Sequence, residues 1–516
     1  MENSSIIVIV MALYMVFIIL VGFIYSTRAK SSTDEFFLAG RKLGPFVTAM
    51  SAEASDMSGY LLMGLPGLAY FTGLADVTWT CIGLSLGTYL NWLFVAKRLR
   101  NYSYVANNSI TLPEFITNRF HDKENSSLKI ISAIFILVFF TVYVASCFVT
   151  FGKLFSIVFS TNYHSMMLVG ALIVLLYTMT GGFLAVCTTD LIQAIIMILA
   201  LIFVVFFGLN SAGGINKVIN NLSQIPGFLS MQFSAVPVLE NGVQQAGQFA
   251  ESPAPYTFLT IISTMAWGLG YFGMPQVLIR FFAIRDAKEI KLSRRVAIVW
   301  VVISMAVAVL IGLIGRVLFP DAMDLATSSL AENVFIKMSI TLLPTILCGI
   351  CLAGILAASM SSADSYLLLT ASSLVEDLYK SVFNKNADAK FLIKLSKIVL
   401  IFVSILSVFI AWDENSVIFT VVSFAWAGFG ATFGPLMIFS LFWKRITKEG
   451  ALAGMLAGGI SVFIWKLIIK PMGGVFSIYE LLPAFLVSTI FIIIVSLMTK
   501  NPDDSILEEF DRVRKM

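Results

Sequence analysis

Charge is scarce in this chain. Only 12% of its 516 residues are Asp, Glu, Lys or Arg, about half the usual share of a soluble domain, which excludes an ordinary water-soluble protein. Histidine is scarcer still: His121 and His164 are the only two, too few for a histidine-rich metal site. The five cysteines, Cys81, Cys147, Cys187, Cys348 and Cys351, are scattered and form no disulfide framework. Cys348 and Cys351 make a C-x-x-C, but in an apolar run without partner ligands, so it reads as packing. No nucleophile–base set or phosphate loop is present, and an enzyme is not expected. The formal net charge of +4 says little about partners. Neither nucleic acid nor an obligatory protein partner is expected.

What the chain has is apolar length. It is 58% hydrophobic, with a mean hydropathy of +0.91, and so belongs in a lipid bilayer. At about 20 apolar residues per crossing, about thirteen transmembrane helices are expected. They fall near 6–25, 44–66, 76–96, 128–158, 165–183, 187–209, 256–283, 296–318, 336–368, 394–412, 415–443, 450–468 and 481–499. The first has no basic region before it and no cleavage site after it, so it reads as a retained helix rather than a signal peptide. The 210–255 loop has room for one short helix. With only a short tail at 500–516, residues 1–516 read as one transmembrane domain.

Basic residues fall in alternate connections: Arg28, Lys30, Arg41 and Lys42; Lys97, Arg98, Arg100, Arg119 and Lys123; Arg285 to Arg295; Lys380 to Lys390; Lys444 to Lys448; and the tail. The 210–255 loop holds Lys217 alone, and the 319–334 loop has no Lys or Arg. The positive-inside rule makes the first set cytoplasmic. An odd span count then puts the amino terminus outside and the carboxyl terminus in the cytoplasm of a multi-pass cell-membrane protein.

Several spans contain residues that hydrocarbon disfavours. Ser51-Ala52-Glu53-Ala54-Ser55-Asp56-Met57-Ser58-Gly59 brings two carboxylates and three hydroxyls to membrane depth, where such groups face a bundle interior, a water cavity or an ion. Trp267-Gly268-Leu269-Gly270-Tyr271-Phe272-Gly273-Met274-Pro275 has three glycines and a proline within another span. Two interrupted spans are the sequence mark of a transporter with a solute site between them. A third cluster, Ala357 to Ser365, places Ser361 and Ser365 on one helix face with Ser362 adjacent and Asp364 in the same turn. Hydroxyls and carbonyls are hard donors suited to Na⁺. Close helix packing by small residues is the plainer alternative. Asp190, in Cys187-Thr188-Thr189-Asp190, reads either as a helix cap or as part of an ion pathway at similar depth.

These residues carry a resemblance. Phe37-Leu38-Ala39-Gly40-Arg41, Ala54 to Gly59 followed by Leu61-Leu62-Met63-Gly64-Leu65-Pro66-Gly67, Gly181-Gly182-Phe183, Thr189-Asp190 and Ala425-Trp426-Ala427-Gly428 together resemble the sodium/solute symporter family, and within it the bacterial sodium/proline symporters. The resemblance spans nearly the whole chain. It implies an all-α protein with two inverted five-helix repeats of leucine-transporter type, near 44–209 and 256–443, each starting with a broken helix. It implies a Na⁺ site of the Ala54, Met57 and Ala358 carbonyls with the Ser361 and Ser362 hydroxyls. Some relatives hold a second Na⁺ with groups matching Asp190, Ser361, Asp364 and Ser365, with serine where this chain has Asp364. Asp56 resembles the aspartate needed for sodium-dependent function. For L-proline the resemblance implies Tyr143, Trp267, Tyr271 and Pro275, with Ser58 nearby and Tyr60 where tryptophan is common. Glu53 has no implied role. The function implied is Na⁺-coupled proline uptake. Another organic solute (a sugar, sialic acid, pantothenate) and a sensory membrane module are the alternatives.

Overall fold

The computed structural model describes residues 2–26, 33–122 and 126–516. Arg28, Lys30 and Lys123, which enter the charge census, lie outside the described residues. The chain is helical almost throughout. Among the described residues nine helices are long and apolar enough to cross a membrane. The other four expected crossings also lie in helix, but each is interrupted, short or polar. The 44–66 segment becomes Pro45–Gly59, a wide turn at Tyr60–Gly64 and Leu65–Thr72. The 76–96 segment becomes Leu74–Leu90, running on through Asn91–Val95 into Ala96–Val105. The 165–183 segment is Tyr163–Thr180. The 256–283 segment is Phe258–Met265, a tight 3₁₀ stretch Ala266–Phe272, and Pro275–Ala283.

Both expected breaks are present, with different causes. In the first, Ser58 adopts φ 41° and ψ −163° inside an otherwise helical run. Such a conformation costs a non-glycine residue about 1–3 kcal/mol and is found where surroundings enforce it. In the second, glycines permit close approach. A Cβ on Gly268 would lie 2.1 Å from the Gly83 carbonyl oxygen, and one on Gly270 would lie 1.9 Å from Trp426 Nε1. Pro275 then restarts the helix at its first turn, where its missing N–H is no loss.

The two broken segments are joined. Leu43 accepts from Arg285 N and donates to the Ala283 carbonyl (3.0 and 3.1 Å), linking the start of the first to the end of the second. Around them pack the long helices Phe183–Ala212 and Thr345–Ser372, both in contact with Pro45–Gly59, while Ile418–Phe442 packs on the 3₁₀ stretch.

The 210–255 loop contains the expected short helix, Ile215–Leu222. It also forms two small antiparallel strand pairs, Phe233–Ser234 with Ala254–Pro255 and Pro237–Glu240 with Val243–Phe249, which its polar composition did not announce. Lys466 and Lys470 break the charge pattern, since they lie at the bundle end opposite the basic loops. Each pairs with the buried Glu480, at 3.4 and 2.9 Å, so a local partner accounts for them.

Candidate functional site

The serine cluster meets the first break. Ser361 Oγ donates to the Ala54 carbonyl at 2.9 Å and lies 3.1 Å from the Ala358 carbonyl. Three of the five expected oxygens thus converge from two helices. Ser362 Oγ is fully buried without a hydrogen-bond partner, unusual for a buried hydroxyl. The Met57 carbonyl accepts from Tyr60 N across the break. All five groups are hard oxygens, without sulfur or nitrogen, and so fit a small alkali cation.

Asp56 bridges the breaks. Its Oδ2 accepts from the Tyr271 hydroxyl at 2.7 Å and its Oδ1 from Gln276 Nε2 at 3.4 Å. Its backbone carbonyl accepts from Tyr143 at 3.0 Å. Tyr143 in turn stacks on Tyr366, with centroids 4.4 Å apart. Ser58 Oγ accepts from Tyr60 N at 3.3 Å, holding the turn after the break.

Beside Asp56 lies a small enclosed cavity, lined by Met57, Tyr60, Leu84, Tyr143, Trp267, Val422 and Trp426. Only about 10 Å³ of it is open to a water-sized molecule, room for one water; side chains must shift to admit a solute. Tyr60 and Trp267 stack at 5.6 Å, and Phe419 closes on both at 5.5 and 5.3 Å. On the far side of Trp267 and Phe419 is a wider recess of about 300 Å³, bordered by Asp76, Tyr256, Ser263 and Tyr479. The aromatic trio is therefore the partition between cavity and recess. Tyr271 and Pro275 do not line the enclosed cavity: Tyr271 spends its hydroxyl on Asp56, and Pro275 borders a cleft toward Thr111 and Ser373.

Asp190 is in the eighth position of Phe183–Ala212, past the first turn, so the helix-cap alternative does not apply. It pairs with Arg280 at 3.0 Å, both fully buried. Ser365 accepts from the same guanidinium at 2.7 Å. Asp364 is fully buried beside them. Glu53 Oε1 accepts from Trp92 Nε1 at 3.1 Å.

The signature of the sodium:solute symporter family matches residues 36–458. The chain belongs to that family. The Haemophilus influenzae sodium/proline symporter is 43% identical over 488 residues, covering 94% of this chain and 93% of that one. The high-affinity proline transporter PutP of Bacillus subtilis is 42% identical, covering 96% and 98%. Among solved structures, a Na⁺-coupled sialic acid symporter in a substrate-bound outward-open state superposes with a TM-score of 0.76 at 20% identity, over 96% of this chain and 99% of that one. Mhp1, a nucleobase-cation-symport-1 family transporter, gives 0.54 at 12% identity, over 92% and 98%. These two likenesses are of fold. This symporter is a multi-pass plasma-membrane transporter and not an enzyme.

Three residues at the symporter's centre escaped the sequence reading. Gln276 directly follows Pro275 of the Gly/Pro break, and Arg280 lies one helical turn further on. A buried cation in a span holding carboxylate neighbours elsewhere was the available signal. Trp426, in a matched motif, donates to the Trp267 carbonyl at 2.7 Å and packs edge-on to Tyr271 at 5.0 Å.

Proposed function

We propose that this symporter couples inward Na⁺ flow to L-proline uptake by alternating access. The observation that carries the reading is nearly full-length likeness, above 40% identity, to transporters named for sodium and proline. The converging oxygens of Ala54, Ala358 and Ser361, with Met57 and Ser362 completing the set, are the proposed Na⁺ ligands. Tyr60, Tyr143 and Trp267 supply aromatic faces for the pyrrolidine ring. Ser58 at the first break and Tyr271 and Pro275 at the second complete the proposed solute site, and free backbone amides at a helix break suit a carboxylate. Asp56, Asp190, Asp364 and Ser365 are coupling residues, and a second Na⁺ is the alternative use of the last three.

About thirteen spans, ten of them in two inverted five-helix repeats near 44–209 and 256–443, form one domain over 1–516. The amino terminus is outside, and the 500–516 tail is cytoplasmic. In this orientation the 300 Å³ recess faces outward, and Tyr60, Trp267 and Phe419 close the outer path. Na⁺ bound between Pro45–Gly59 and Thr345–Ser372 holds the two helices together and favours the state open to the outside.

The driving force suffices. A tenfold Na⁺ gradient supplies about 1.4 kcal/mol, and about 100 mV adds about 2.3 kcal/mol per charge. Together they accumulate a neutral solute several hundred-fold per ion. The test is uptake of labelled proline by proteoliposomes, with and without a Na⁺ gradient, in competition with a panel of amino acids, sugars, sialic acid and pantothenate. Na⁺-dependent uptake displaced by proline alone is expected. Displacement by a non-amino-acid solute at lower concentration would refute the assignment.

A further inference from the structure

A groove of about 550 Å³ opens on the side of the bundle. It lies between Phe183–Ala212, the helix Ile290–Leu318 and the start of the first broken segment. Ile198, Ile202, Val299, Trp300 and Ile303 line it, and Met50 joins them from Pro45–Gly59. Ile202, Val299 and Ile303 are exposed, so the groove is open to lipid along its length. Among the described residues that line it, Arg295 alone carries a charge.

Arg295, Val299 and Ile303 recur every four residues and so share one helix face, with Arg295 nearest the helix start. Ser293 Oγ, two residues earlier, donates to the Pro45 carbonyl at 3.0 Å. Arg295 is therefore level with the beginning of the first broken segment, where the apolar part of its own span begins. From Arg295 to Ile303 the helix rises about 12 Å, most of one leaflet's share of a hydrocarbon core about 30 Å thick. The groove thus runs from headgroup level toward the bilayer midplane, which is the course and depth of an acyl chain. Nearby arginines are occupied. Arg285 pairs with Glu289 at 2.7 Å, and Arg294 lies over the Tyr89 ring, 5.5 Å from its centroid. The Arg295 guanidinium is exposed and enters no ion pair, hydrogen bond or ring contact among the described residues.

We propose that this groove binds one anionic phospholipid of the cytoplasmic leaflet, with an acyl chain against Met50, Ile202, Val299 and Ile303 and the phosphate on Arg295. An apolar slot alone takes any lipid tail. The unpaired guanidinium at its headgroup end selects negative charge, and its planar fork suits a phosphate. Met50 belongs to the helix that carries Ser51 and the proposed Na⁺ ligands Ala54 and Met57, so the bound chain packs directly on the first broken segment. The leaflet follows from the orientation proposed above, whereas the binding itself depends on neither the orientation nor the solute.

The test is native mass spectrometry of the full-length protein released from nanodiscs of equimolar phosphatidylglycerol and phosphatidylcholine, which counts the lipid retained. The wild type is expected to keep one phosphatidylglycerol, favoured about fivefold over phosphatidylcholine, the preference that one cation at the membrane surface confers. Arg295→Gln should bring that ratio to about one. Arg294→Gln removes a neighbouring charge outside the groove and should leave the ratio at about fivefold. Val299→Trp fills the groove, keeps the charge, and should lose the retained lipid. A wild type that keeps no lipid, or keeps both kinds equally, overturns the proposal. Equal loss of preference in R294Q and R295Q also overturns it, because a diffuse belt of charge would then be the attractant. So does a V299W that retains lipid as the wild type does, since the chain would then lie elsewhere.

Discussion

The Tyr271 hydroxyl donates to Asp56 across 2.7 Å, joining the two helix breaks by one buried hydrogen bond. Asp56 lies two residues before the non-helical Ser58, and Tyr271 lies within the 3₁₀ stretch. On the proposed reading Tyr271 is a coupling element: a shift of Asp56 on ion binding would reach the second broken segment through this bond and through Gln276.

The bond predicts non-additive variants. Asp56→Asn removes the charge that Tyr271 serves, and Tyr271→Phe removes only the donor. A hydrogen bond to a charged group contributes about 1.5–3 kcal/mol, so each variant should raise the Na⁺ concentration for half-maximal uptake by roughly tenfold or more. The double variant should be no worse than D56N alone, because the second change removes a bond already weakened. Independent, multiplying effects in uptake titrations would contradict the coupling.

The long apolar helices and both breaks were legible in the sequence, the breaks because glycine, proline and polar side chains at membrane depth have few uses. The Ala54 and Ser361 contact was readable only through resemblance, since nothing local in either segment specifies the other. Arg280 was missed for the same reason. A charge census assigns basic residues to loops, and a buried arginine is understood only once Asp190, 90 positions away in sequence, is seen beside it. The aromatic partition is a third case: Tyr60, Trp267 and Phe419 come from three separate segments, and any one of them alone reads as core packing or interfacial belt.

Loss of an ion ligand has a separable signature. Ser361→Ala and Ser362→Ala each remove one oxygen without adding bulk. Each should raise the half-maximal Na⁺ concentration by roughly tenfold or more, by the same estimate for a charge-bound donor group. Proline affinity at saturating Na⁺ should change little. Unaltered Na⁺ dependence in both folded variants would remove these hydroxyls from the site.

The partition predicts the opposite pattern. Trp267→Ala opens the wall between the enclosed cavity and the outer recess and deletes a face of the pocket. Solute-free ²²Na⁺ binding should stay within about twofold of the wild type, while proline affinity falls by an order of magnitude or more, in keeping with about 1–3 kcal/mol for a lost apolar pocket contact. Phe419→Ala, which removes the third member of the partition but does not line the enclosed cavity, should cost proline affinity less. Equal losses in both variants would mean that the trio acts as a packing unit.

A stability prediction concerns the buried ion pair next to the partition. Lys153 Nζ reaches Glu332 Oε2 at 2.7 Å and the carbonyls of Ser329 and Ser416 at 3.0 and 2.9 Å, with both charged side chains buried. Glu332 also accepts from Ile418 N and Phe419 N, each at 3.0 Å, and so caps the helix that carries Phe419. Removing one partner of a buried pair leaves the other uncompensated, at about 3–5 kcal/mol. Lys153→Met should accordingly lower the melting temperature of the purified protein by several degrees. Adding Glu332→Gln, which removes the stranded charge but keeps an acceptor for the two backbone amides, should recover part of the loss. If the double variant melts lower than K153M, the stranded charge is not the source of the instability. The three bonds donated by Lys153 would then be the dominant contribution.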